Sequence, residues 1–502
     1  MKAIKESHGE NRIFLLLIGA VITGLVWMFS LGISGNDFWW HLKAGEWMVV
    51  NKALPSIDIF SWYAKENGIH WISHEWLSQV FFYCIHNATG DLGIFFFSLI
   101  SAIGMALLIM IRNKDAIKKS IVLSSIFLFP MVILIKLMFY GRPHLISFFL
   151  LYATLSCLYS YRRDETSRAI YLIPFISVLW GNFHGGSSTL SYILCFMFMF
   201  SGLFEFSIGK LHGEKLSRKQ LLTYFGVGVL SIAALAINPY GLHMLTYPYV
   251  NMGDSFAQGM INEWTAPDAK EISHLIVFYL PLFIIGVSMI ITDKRIKAVD
   301  LLVFTFFLYM FFRSVRFAVV FQIASAFFAF DYFIAREIKA VRTKLDSAIF
   351  CVFLLILIGV NVVSFSNIVK AYHAEKLISV VLETKFIELV KKDVPQRLYN
   401  DYNFGVTLIL NGIETFVDAR ADLFSPHNLR DAKSLLSLTQ FDKKEKSKIF
   451  DPEKIIEKYN FDAFLISSSS PLSVYLRSKP DNYKILLEDE EAVYFKRIDV
   501  LN

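Results

Sequence analysis

The sequence is poor in charge. Only 18% of its 502 residues are Asp, Glu, Lys or Arg, whereas soluble globular proteins carry about 25%. Hydrophobic residues make up 55% of the chain, and Phe alone numbers 48. The net charge of +6 does not indicate a nucleic-acid partner, because most basic residues fall in short loops between apolar segments. This composition excludes an ordinary soluble protein and predicts an α-helical polytopic membrane protein.

The common motifs of metal, cofactor and nucleophile chemistry are also missing. The sequence has no glycine-rich phosphate loop, no zinc-type ligand spacing and no Ser-His-Asp arrangement. The four cysteines lie scattered in apolar segments, where a thiol behaves as a small buried hydrophobe. They are Cys84, Cys157, Cys195 and Cys351. We therefore expect neither a metal nor a cofactor.

Long apolar runs fill the first 368 residues. A membrane helix needs about 20 predominantly apolar residues, and the pattern predicts eleven spans. The first, at 12–34, lacks a small-residue cleavage site and is interpreted as a retained anchor. The others are predicted at about 91–111, 120–139, 144–161, 169–184, 187–208, 220–238, 274–292, 298–312, 317–335 and 347–368.

Charge is concentrated after the last predicted span. The chain has 49 Lys and Arg and 43 Asp and Glu, and 41 of these charged residues lie from Lys370 onward. We therefore predict a membrane domain over 1–368, with a first outer loop at 35–90, and a soluble α/β domain over 369–502. Its predicted strands are 397–400, 414–418, 461–466, 483–488 and 492–496, and its predicted helices are 404–410 and 452–459.

Two polar segments of the soluble domain lie at the ends of predicted strands. They are Asn400-Asp401-Tyr402 and Asp418-Ala-Arg-Ala-Asp422. Ligand sites of α/β domains form at strand ends. Surface salt bridges are the alternative, and we favour them for these segments.

Basic residues are distributed unevenly between alternate loops. One set of loops carries 21 Lys and Arg, whereas the other carries seven although its loops are longer. Because cytoplasmic loops are enriched in Lys and Arg, the first set is predicted to be cytoplasmic. With eleven spans, the N-terminus then lies inside and the C-terminal domain outside.

The first outer loop combines aromatic rings with acid–base groups. Six of the nine Trp lie between Asp37 and Gln79, and Trp prefers the membrane–water interface. The candidate site residues of this loop are Asp37, Trp40, His41, His74 and Glu75. Such groups suit chemistry on a lipid-linked sugar, and an interfacial structural loop is the alternative.

Asp37 and Glu75 each have a second interpretation. Asp37 could cap the helix that starts near Phe38, which is compatible with a catalytic role. Ser73 and Glu75 look like a helix start, where a carboxylate favours the positive end of the dipole. For Glu75 this structural interpretation is the stronger one.

Further polar clusters fall on the predicted outer side. Arginine can bind two phosphate oxygens at once. We therefore favour phosphate binding for the arginines of these clusters, and the alternative is that they snorkel toward lipid headgroups. The candidates are Arg142 and His144, His184, Glu263, and Arg313 with Arg316.

Several motifs resemble those of a family of bacterial polytopic proteins similar to the GT-C glycosyltransferase superfamily. They are Asp-Phe-Trp-Trp-His-Leu-Lys-Ala-Gly-Glu, Pro-x-x-Asp-x-Phe-Ser-Trp, His-Glu-Trp-Leu-Ser-Gln, Arg-Pro-His, Asn-Phe-His-Gly-Gly, Asn-Pro-Tyr-Gly, Glu-Trp and Asp-Ala-Arg-Ala-Asp. The superfamily includes protein mannosyltransferases and lipid-sugar-dependent arabinosyl- and oligosaccharyltransferases.

The resemblance implies an inverting transfer of a sugar from a polyprenyl-phosphate donor to a glycan, lipid or protein acceptor at the outer face of the bacterial cytoplasmic membrane. The superfamily's catalytic base, an acid in the first outer loop, maps onto Asp37, and Glu75 is the alternative base. Asp37 is followed by Phe-Trp-Trp rather than by a second acid, so we expect metal independence. The competing hypotheses are a lipid-sugar or polysaccharide translocase and a non-catalytic assembly scaffold.

Overall fold

The computed structural model describes residues 2–32, 37–252, 256, 262–333, 344–373, 382–439 and 450–498. The chain divides into two compact units. Unit 1 comprises Met1–Ile33, Ile85–Val250 and Gln258–Ile378, and unit 2 comprises Ser34–Cys84, Asn251–Ala257 and Ser379–Asn502. Residues 34–84 are thus grouped with the C-terminal region, whereas the sequence pattern placed them in the membrane domain.

Helices dominate the described residues. Up to residue 252 they are α1 (Lys2–Phe29), α2 (Phe38–Asn51), α3 (Trp62–Glu66), α4 (Trp76–Arg112), α5 (Lys114–Lys119), α6 (Ile121–Met138), α7 (His144–Arg163), α8 (Ile173–Phe183), α9 (Leu190–Phe200), α10 (Arg218–Ala234) and α11 (His243–Met252). The later ones are α12 (Ile272–His274), α13 (Leu280–Ile291), α14 (Ala298–Arg313), α15 (Ala318–Ser325), α16 (Ala329–Tyr332), α17 (Lys344–His373), α18 (Thr384–Asp393), α19 (Gly405–Leu410), α20 (Ala421–Phe424), α21 (Leu429–Ser437), α22 (Pro452–Tyr459) and α23 (Pro471–Arg477).

The strands are short. They are β1 (Phe206–Ile208), β2 (Leu211–Gly213), β3 (Ile296–Lys297), β4 (Leu398–Asn400), β5 (Ala463–Ser467), β6 (Tyr483–Glu488) and β7 (Ala492–Arg497). The first three form one sheet and the last four another.

Within the described residues, six helical stretches are long and apolar enough to cross a membrane. They are Asn11–Phe29, Trp76–Arg112, Ile121–Met138, His144–Arg163, Ile272–Ile291 and Leu355–His373. Shorter apolar helices lie at Arg168–Phe183, Gly185–Phe200 and Val315–Ser325. These helices identify a membrane protein, but the predicted count of eleven spans is not confirmed.

Two predicted spans differ from the observed helices for local reasons. The run predicted at 187–208 is helical only to Phe200, and its end turns into β1. The run predicted at 317–335 breaks after Ser325 into a turn before the short α16. Apolar composition does not report the second break, because its turn residues at 326–328 are Ala, Phe and Phe, whereas the first break falls at Ser201 and Gly202.

Unit 2 contains a mixed four-stranded sheet in the order β4-β5-β7-β6. The β4–β5 pair is parallel, and the other two pairs are antiparallel. The hydrophobic core beside the sheet includes Phe386, Leu408 and Tyr494. The predicted α/β character of the C-terminal region is confirmed as a small sheet with helices.

The predicted first outer loop is built into this unit through its Ser61-Trp62 pair. Ser61 forms a parallel bridge with Thr415, and the Trp62 ring stacks on Phe416 with centroids 5.5 Å apart. The Trp62 indole N–H donates to the carbonyl of Leu398 at 3.1 Å. Segment 414–418 was predicted as a strand. In the structure its Thr415 pairs with Ser61 of the loop as an isolated bridge, outside the four-stranded sheet.

Inside the loop, α2 lies directly against the start of α4. A Cβ atom built on Gly45 would lie 2.1 Å from the backbone oxygen of Gln79. Only glycine therefore allows this close approach of the two backbones.

We expect Gly45→Ala to separate α2 from α4 and to destabilise unit 2 by about 1–3 kcal/mol, the usual cost of overpacking. Thermal unfolding of the purified protein in detergent measures this as a lower Tm. Gly226→Ala in α10 is the control, because a Cβ there meets no atom within 4 Å. It should be neutral or stabilising by about 0.5–1 kcal/mol. Equal Tm values for both variants would contradict the close approach.

Candidate functional site

A buried ion cluster joins the predicted first outer loop to the C-terminal part of unit 2. Arg420 donates through Nε to Asp418 Oδ1 at 2.8 Å and through Nη2 to Asp418 Oδ2 at 2.6 Å. Its Nη1 donates to Asp58. The side chains of Arg420, Asp58 and Asp418 are at most 1% exposed. These are therefore not surface salt bridges, and the favoured interpretation of the Asp418–Asp422 segment is wrong at Asp418 and Arg420.

Four aromatic rings surround the Arg420 guanidinium. Its carbon lies 4.7 Å from the Trp71 ring centroid, 5.1 Å from Phe60, 5.6 Å from Phe424 and 6.0 Å from Trp40. A guanidinium over aromatic faces is stabilised by their quadrupoles. Burial lowers the pKa of Arg420, but the two carboxylates outweigh burial and raise it overall. Arg420 is therefore a permanent cation.

The other polar segment of the C-terminal region also makes internal hydrogen bonds. The Asn400 side chain accepts from the backbone of Phe416 and donates to the carbonyl of Val417, both at 2.8 Å. Asp401 accepts from the backbone of Asn403 at 3.0 Å. These contacts hold the loop that carries Asp418, so Asn400 supports the ion cluster.

Glu75 lies between two of the predicted histidines. Its Oε2 is 3.7 Å from His41 Nδ1, and its Oε1 is 3.5 Å from His74 Nε2. The side chains of His41, His74 and Glu75 are 3%, 17% and 9% exposed. The structure thus brings three predicted site residues together as one acid–base cluster at the N-terminal end of α4.

The ring of His41 is fixed by its neighbours. It lies against Trp40 with ring centroids 3.7 Å apart. Gln79 Nε2 lies 3.4 Å from His41 Nδ1, and Ser73 donates to Gln79 Oε1 at 2.7 Å. The Ser73–Gln79 bond orients the amide toward the imidazole. Trp40 also contacts Trp71 at 6.3 Å, which connects this cluster to the rings around Arg420.

Asp37 immediately precedes α2. Its carbonyl accepts from the backbone N–H of His41 at 3.3 Å, but its side chain makes no N-cap hydrogen bond. The side chain is half-buried. The capping interpretation of Asp37 therefore does not hold.

In unit 1, Arg142 is paired with Glu263. Arg142 Nη1 donates to the two carboxylate oxygens at 3.1 and 3.0 Å. Burial raises the pKa of Glu263, but Arg142 and Arg316 outweigh burial and lower it overall. The Ser314 hydroxyl donates to the Glu263 carbonyl at 2.7 Å and also accepts from the backbone N–H of Arg316. Arg142, Arg316 and Glu263 are thus brought together.

Arg313 is placed differently from the other two arginines. It is exposed at the end of α14, and none of its described contacts joins it to Arg142 or Glu263. Of the three candidate arginines, Arg142 and Arg316 therefore lie near Glu263.

The two predicted histidines of unit 1 are held by internal hydrogen bonds. His144 Nε2 donates to the Met138 carbonyl at 2.6 Å. His184 Nδ1 lies 2.7 Å from the hydroxyl of Ser147 and 2.9 Å from that of Ser187. Arg142, Arg316 and His184 all act electrostatically on His144, so His144 lies beside the arginines.

Sequence reasoning did not select Asp58, Asp418 or Arg420 as a cluster. Both of their motifs, Pro-x-x-Asp-x-Phe-Ser-Trp and Asp-Ala-Arg-Ala-Asp, were visible. The missing information was their proximity, since Asp58 and Arg420 are 362 positions apart. In the described part of the chain, no group of three or more His, Cys, Asp or Glu has an arrangement that could hold a metal ion.

The fold is similar to that of an archaeal oligosaccharyltransferase. The apo crystal structure of the Archaeoglobus fulgidus oligosaccharyltransferase aligns with TM-score 0.53 at 12% identity, covering 91% of this chain and 69% of that one. The structure of that organism's AglB with an inhibitory peptide and a dolichol-phosphate gives TM-score 0.55 at 12% identity, covering 92% and 69%.

A structure of the Archaeoglobus enzyme tethered to an acceptor peptide with an NVT sequon aligns equally well, with TM-score 0.53 at 12% identity and the same coverage of 92% and 69%. No family model matches the sequence, and no curated protein matches it either. The comparison therefore shows that the chain shares its fold with the oligosaccharyltransferase, at 12% identity.

The environment of His74 gives a pH prediction. Burial lowers its pKa, but Glu75 and Asp422 outweigh burial, so the pKa is raised above 6.5. The stabilisation from protonated His74 is complete below pH 6.5 and is lost as the pH rises through the raised pKa. We expect Glu75→Gln to lower the pKa of His74, measured by NMR of ring-labelled histidines. An unchanged pKa of His74 would exclude the coupling.

Proposed function

We propose that this protein is a membrane glycosyltransferase of the GT-C type. It transfers a sugar, a hexose or a pentose, from a polyprenyl-phosphate donor to a glycan, lipid or protein acceptor. The observation that carries the proposal is the fold shared with an oligosaccharyltransferase whose structure holds a dolichol-phosphate. The buried Glu75 between two histidines supports a reaction that needs a proton acceptor.

The reaction is a single displacement at the anomeric carbon. A carboxylate of the first outer loop takes the proton of the acceptor hydroxyl while the hydroxyl oxygen bonds to the anomeric carbon. The bond from that carbon to the phosphate oxygen breaks, and its electron pair leaves with the polyprenyl phosphate. Attack opposite to the leaving group inverts the configuration. We expect no metal requirement.

Asp37 and Glu75 are the two candidates for the base. Asp37 is half-buried and makes no N-cap bond through its side chain, so helix capping does not account for it. Glu75 is buried beside His41 and His74, and protonated histidines favour its carboxylate form. We retain Asp37 as the base because the resemblance to the GT-C superfamily maps the catalytic acid onto it. His41 and His74 then position the reacting groups, and Trp40 contacts the sugar.

In this proposal, the arginines of unit 1 bind the phosphate group of the donor. Arg142 and Arg316 both act on Glu263, and guanidinium groups bind phosphate as they bind carboxylate. A donor phosphate would compete with Glu263 for Arg142 and would be stabilised as charge grows on it. His144 and His184 line the same cluster, and the exposed Arg313 would reach a lipid headgroup.

The proposed location is the bacterial cytoplasmic membrane. The excess of basic residues in one set of loops supports a cytoplasmic N-terminus and an extracytoplasmic C-terminal domain. The chemistry would then take place at the outer face, where lipid-linked donors and envelope acceptors meet.

The base is tested by Asp37→Asn, which keeps the size of the side chain and removes its basicity. We expect normal insertion and folding, unchanged donor binding and at least a 100-fold loss of transfer, the lower end of the contribution of a general base. Transfer is measured as the initial rate of glycan formation in membranes of a deletion strain complemented with each variant. The glycan is first identified by mass spectrometry of parent and deletion strains.

Glu75→Gln is the matched comparison. If Asp37→Asn retains parental turnover while Glu75→Gln is inactive, the base is Glu75. If both retain full activity, the first outer loop is structural. If deletion of the gene changes no glycolipid or glycoprotein, the glycosyltransferase assignment is wrong.

The phosphate site is tested by Arg142→Gln and Arg316→Gln. Each should weaken binding of polyprenyl phosphate by about 1.5–3 kcal/mol, the value of a hydrogen bond to a charged group. Lysine should rescue poorly, because it lacks the planar fork. Native mass spectrometry of the detergent-solubilised protein measures the affinity. Arg163→Gln at the far end of α7 is the control, and parental affinity in both test variants would show that these arginines are structural.

A further inference from the structure

Arg420 connects two parts of unit 2 that are far apart in sequence. Its guanidinium binds Asp418 of the same loop with two groups and Asp58 of the first outer loop with the third. Asp58 also accepts from the backbone N–H of Ser61 at 2.8 Å, which shapes the loop around it. Each of the three guanidinium nitrogens therefore donates to a carboxylate.

The same guanidinium contacts the rings that support the acid–base cluster. Trp71 is its nearest ring at 4.7 Å, and Trp40 lies 6.0 Å away. Trp40 in turn lies against His41, which faces Glu75. The chain of contacts therefore runs from Asp58 and Arg420 through Trp40 to His41 and Glu75.

Trp40 depends on these ring contacts for its position. Its indole N–H is buried and has no hydrogen-bond acceptor among the described residues. The ring is 7% exposed, so it is held by packing against Arg420, Trp71 and His41. A displaced guanidinium would remove one of the three neighbours that hold Trp40 and would loosen its packing against His41.

Other contacts hold the two segments together without Arg420. Lys65 pairs with Glu414 and Arg397 pairs with Glu66, both at the exposed surface. Trp62 packs among Phe416, Tyr63 and Phe461. These contacts hold the loop against the C-terminal part of unit 2 without Arg420. Arg420 adds contacts with both Asp58 and the Trp40–Trp71 pair.

We propose that Arg420 is a positioning residue for the Trp40–His41–Glu75 cluster and that Asp58 fixes it there. The C-terminal domain thereby determines the geometry of the first outer loop, in addition to any role in acceptor binding. The catalytic meaning of this geometry rests on the proposed function, but the positioning itself can be measured without any activity.

The test is the accessibility of His41 in the full-length protein in detergent. Diethyl pyrocarbonate modifies accessible neutral imidazoles, and peptide mass spectrometry gives a rate for each histidine. In the parent, His41 is 3% exposed and should be protected, whereas the exposed His70 reacts. Arg420→Lys keeps the charge and removes the fork, and Asp58→Ala removes the loop partner while Asp418 still neutralises Arg420.

We expect both variants to raise the modification rate of His41 at least about tenfold, as local opening becomes easier, while His144 in unit 1 stays protected. Asp58→Asn retains an acceptor oxygen for Arg420 and should stay near the parental rate. Lys65→Ala removes an exposed ion pair between the same segments and should also leave His41 protected.

Two results would overturn the proposal. One is parental protection of His41 in both Arg420→Lys and Asp58→Ala. The other is equal exposure of His41 and His144 in both variants, which would make Arg420 a residue of general stability. Measuring sugar transfer by the parent protein separates the two proposals. If the parent transfers no sugar and His41 still becomes accessible in the variants, the catalytic assignment is refuted and the positioning role of Arg420 stands.

Discussion

The buried pairing of one arginine with two aspartates is the constraint on which unit 2 depends. A charge removed from water is costly unless it is paired and hydrogen-bonded. Asp58 and Asp418 are fully buried, so each is tolerated only while Arg420 lies between them. Because the partners come from the first loop and from the C-terminal region, the ion cluster forms only when both segments are in place.

The aromatic residues of the loop follow from the same constraint. Trp40, Trp71 and Phe60 provide faces for the guanidinium and exclude water from the ion pairs, which strengthens them. The sequence pattern associated the tryptophans of this loop with a membrane interface. Trp40, Trp62 and Trp71 instead are 4–7% exposed in the protein core, so part of that aromatic content serves internal packing.

Unit 1 also contains an ion pair, Arg142 with Glu263, but this pair is less buried. The Glu263 side chain is 35% exposed, and that of Arg142 is 13% exposed. A pair that keeps contact with solvent can exchange one partner for another anion at a smaller desolvation cost than a fully buried one. This difference distinguishes the Arg142–Glu263 pair, which suits binding, from the Asp58–Arg420–Asp418 cluster, which suits a fixed structure.

Local patterns predicted much of unit 2. The helix Pro452–Tyr459 and the strand Tyr483–Glu488 have the bounds expected from periodicity, because capping and alternation are read within a few residues. The segment around Thr415 was predicted as a strand and is a single bridge to Ser61. Its conformation is set by a partner more than 350 positions away, which no local pattern reports.

By itself, the sequence determined that this is a membrane protein, that its C-terminal region is an α/β domain, and which residue types bear the chemistry. These properties follow from composition and short-range periodicity. Only the tertiary structure decided that Glu75 lies between His41 and His74, that Arg142 pairs with Glu263, and that Asp58 and Asp418 share Arg420. Such pairings depend on long-range packing, because the identity of a charged residue fixes its need for a partner but not which partner it finds.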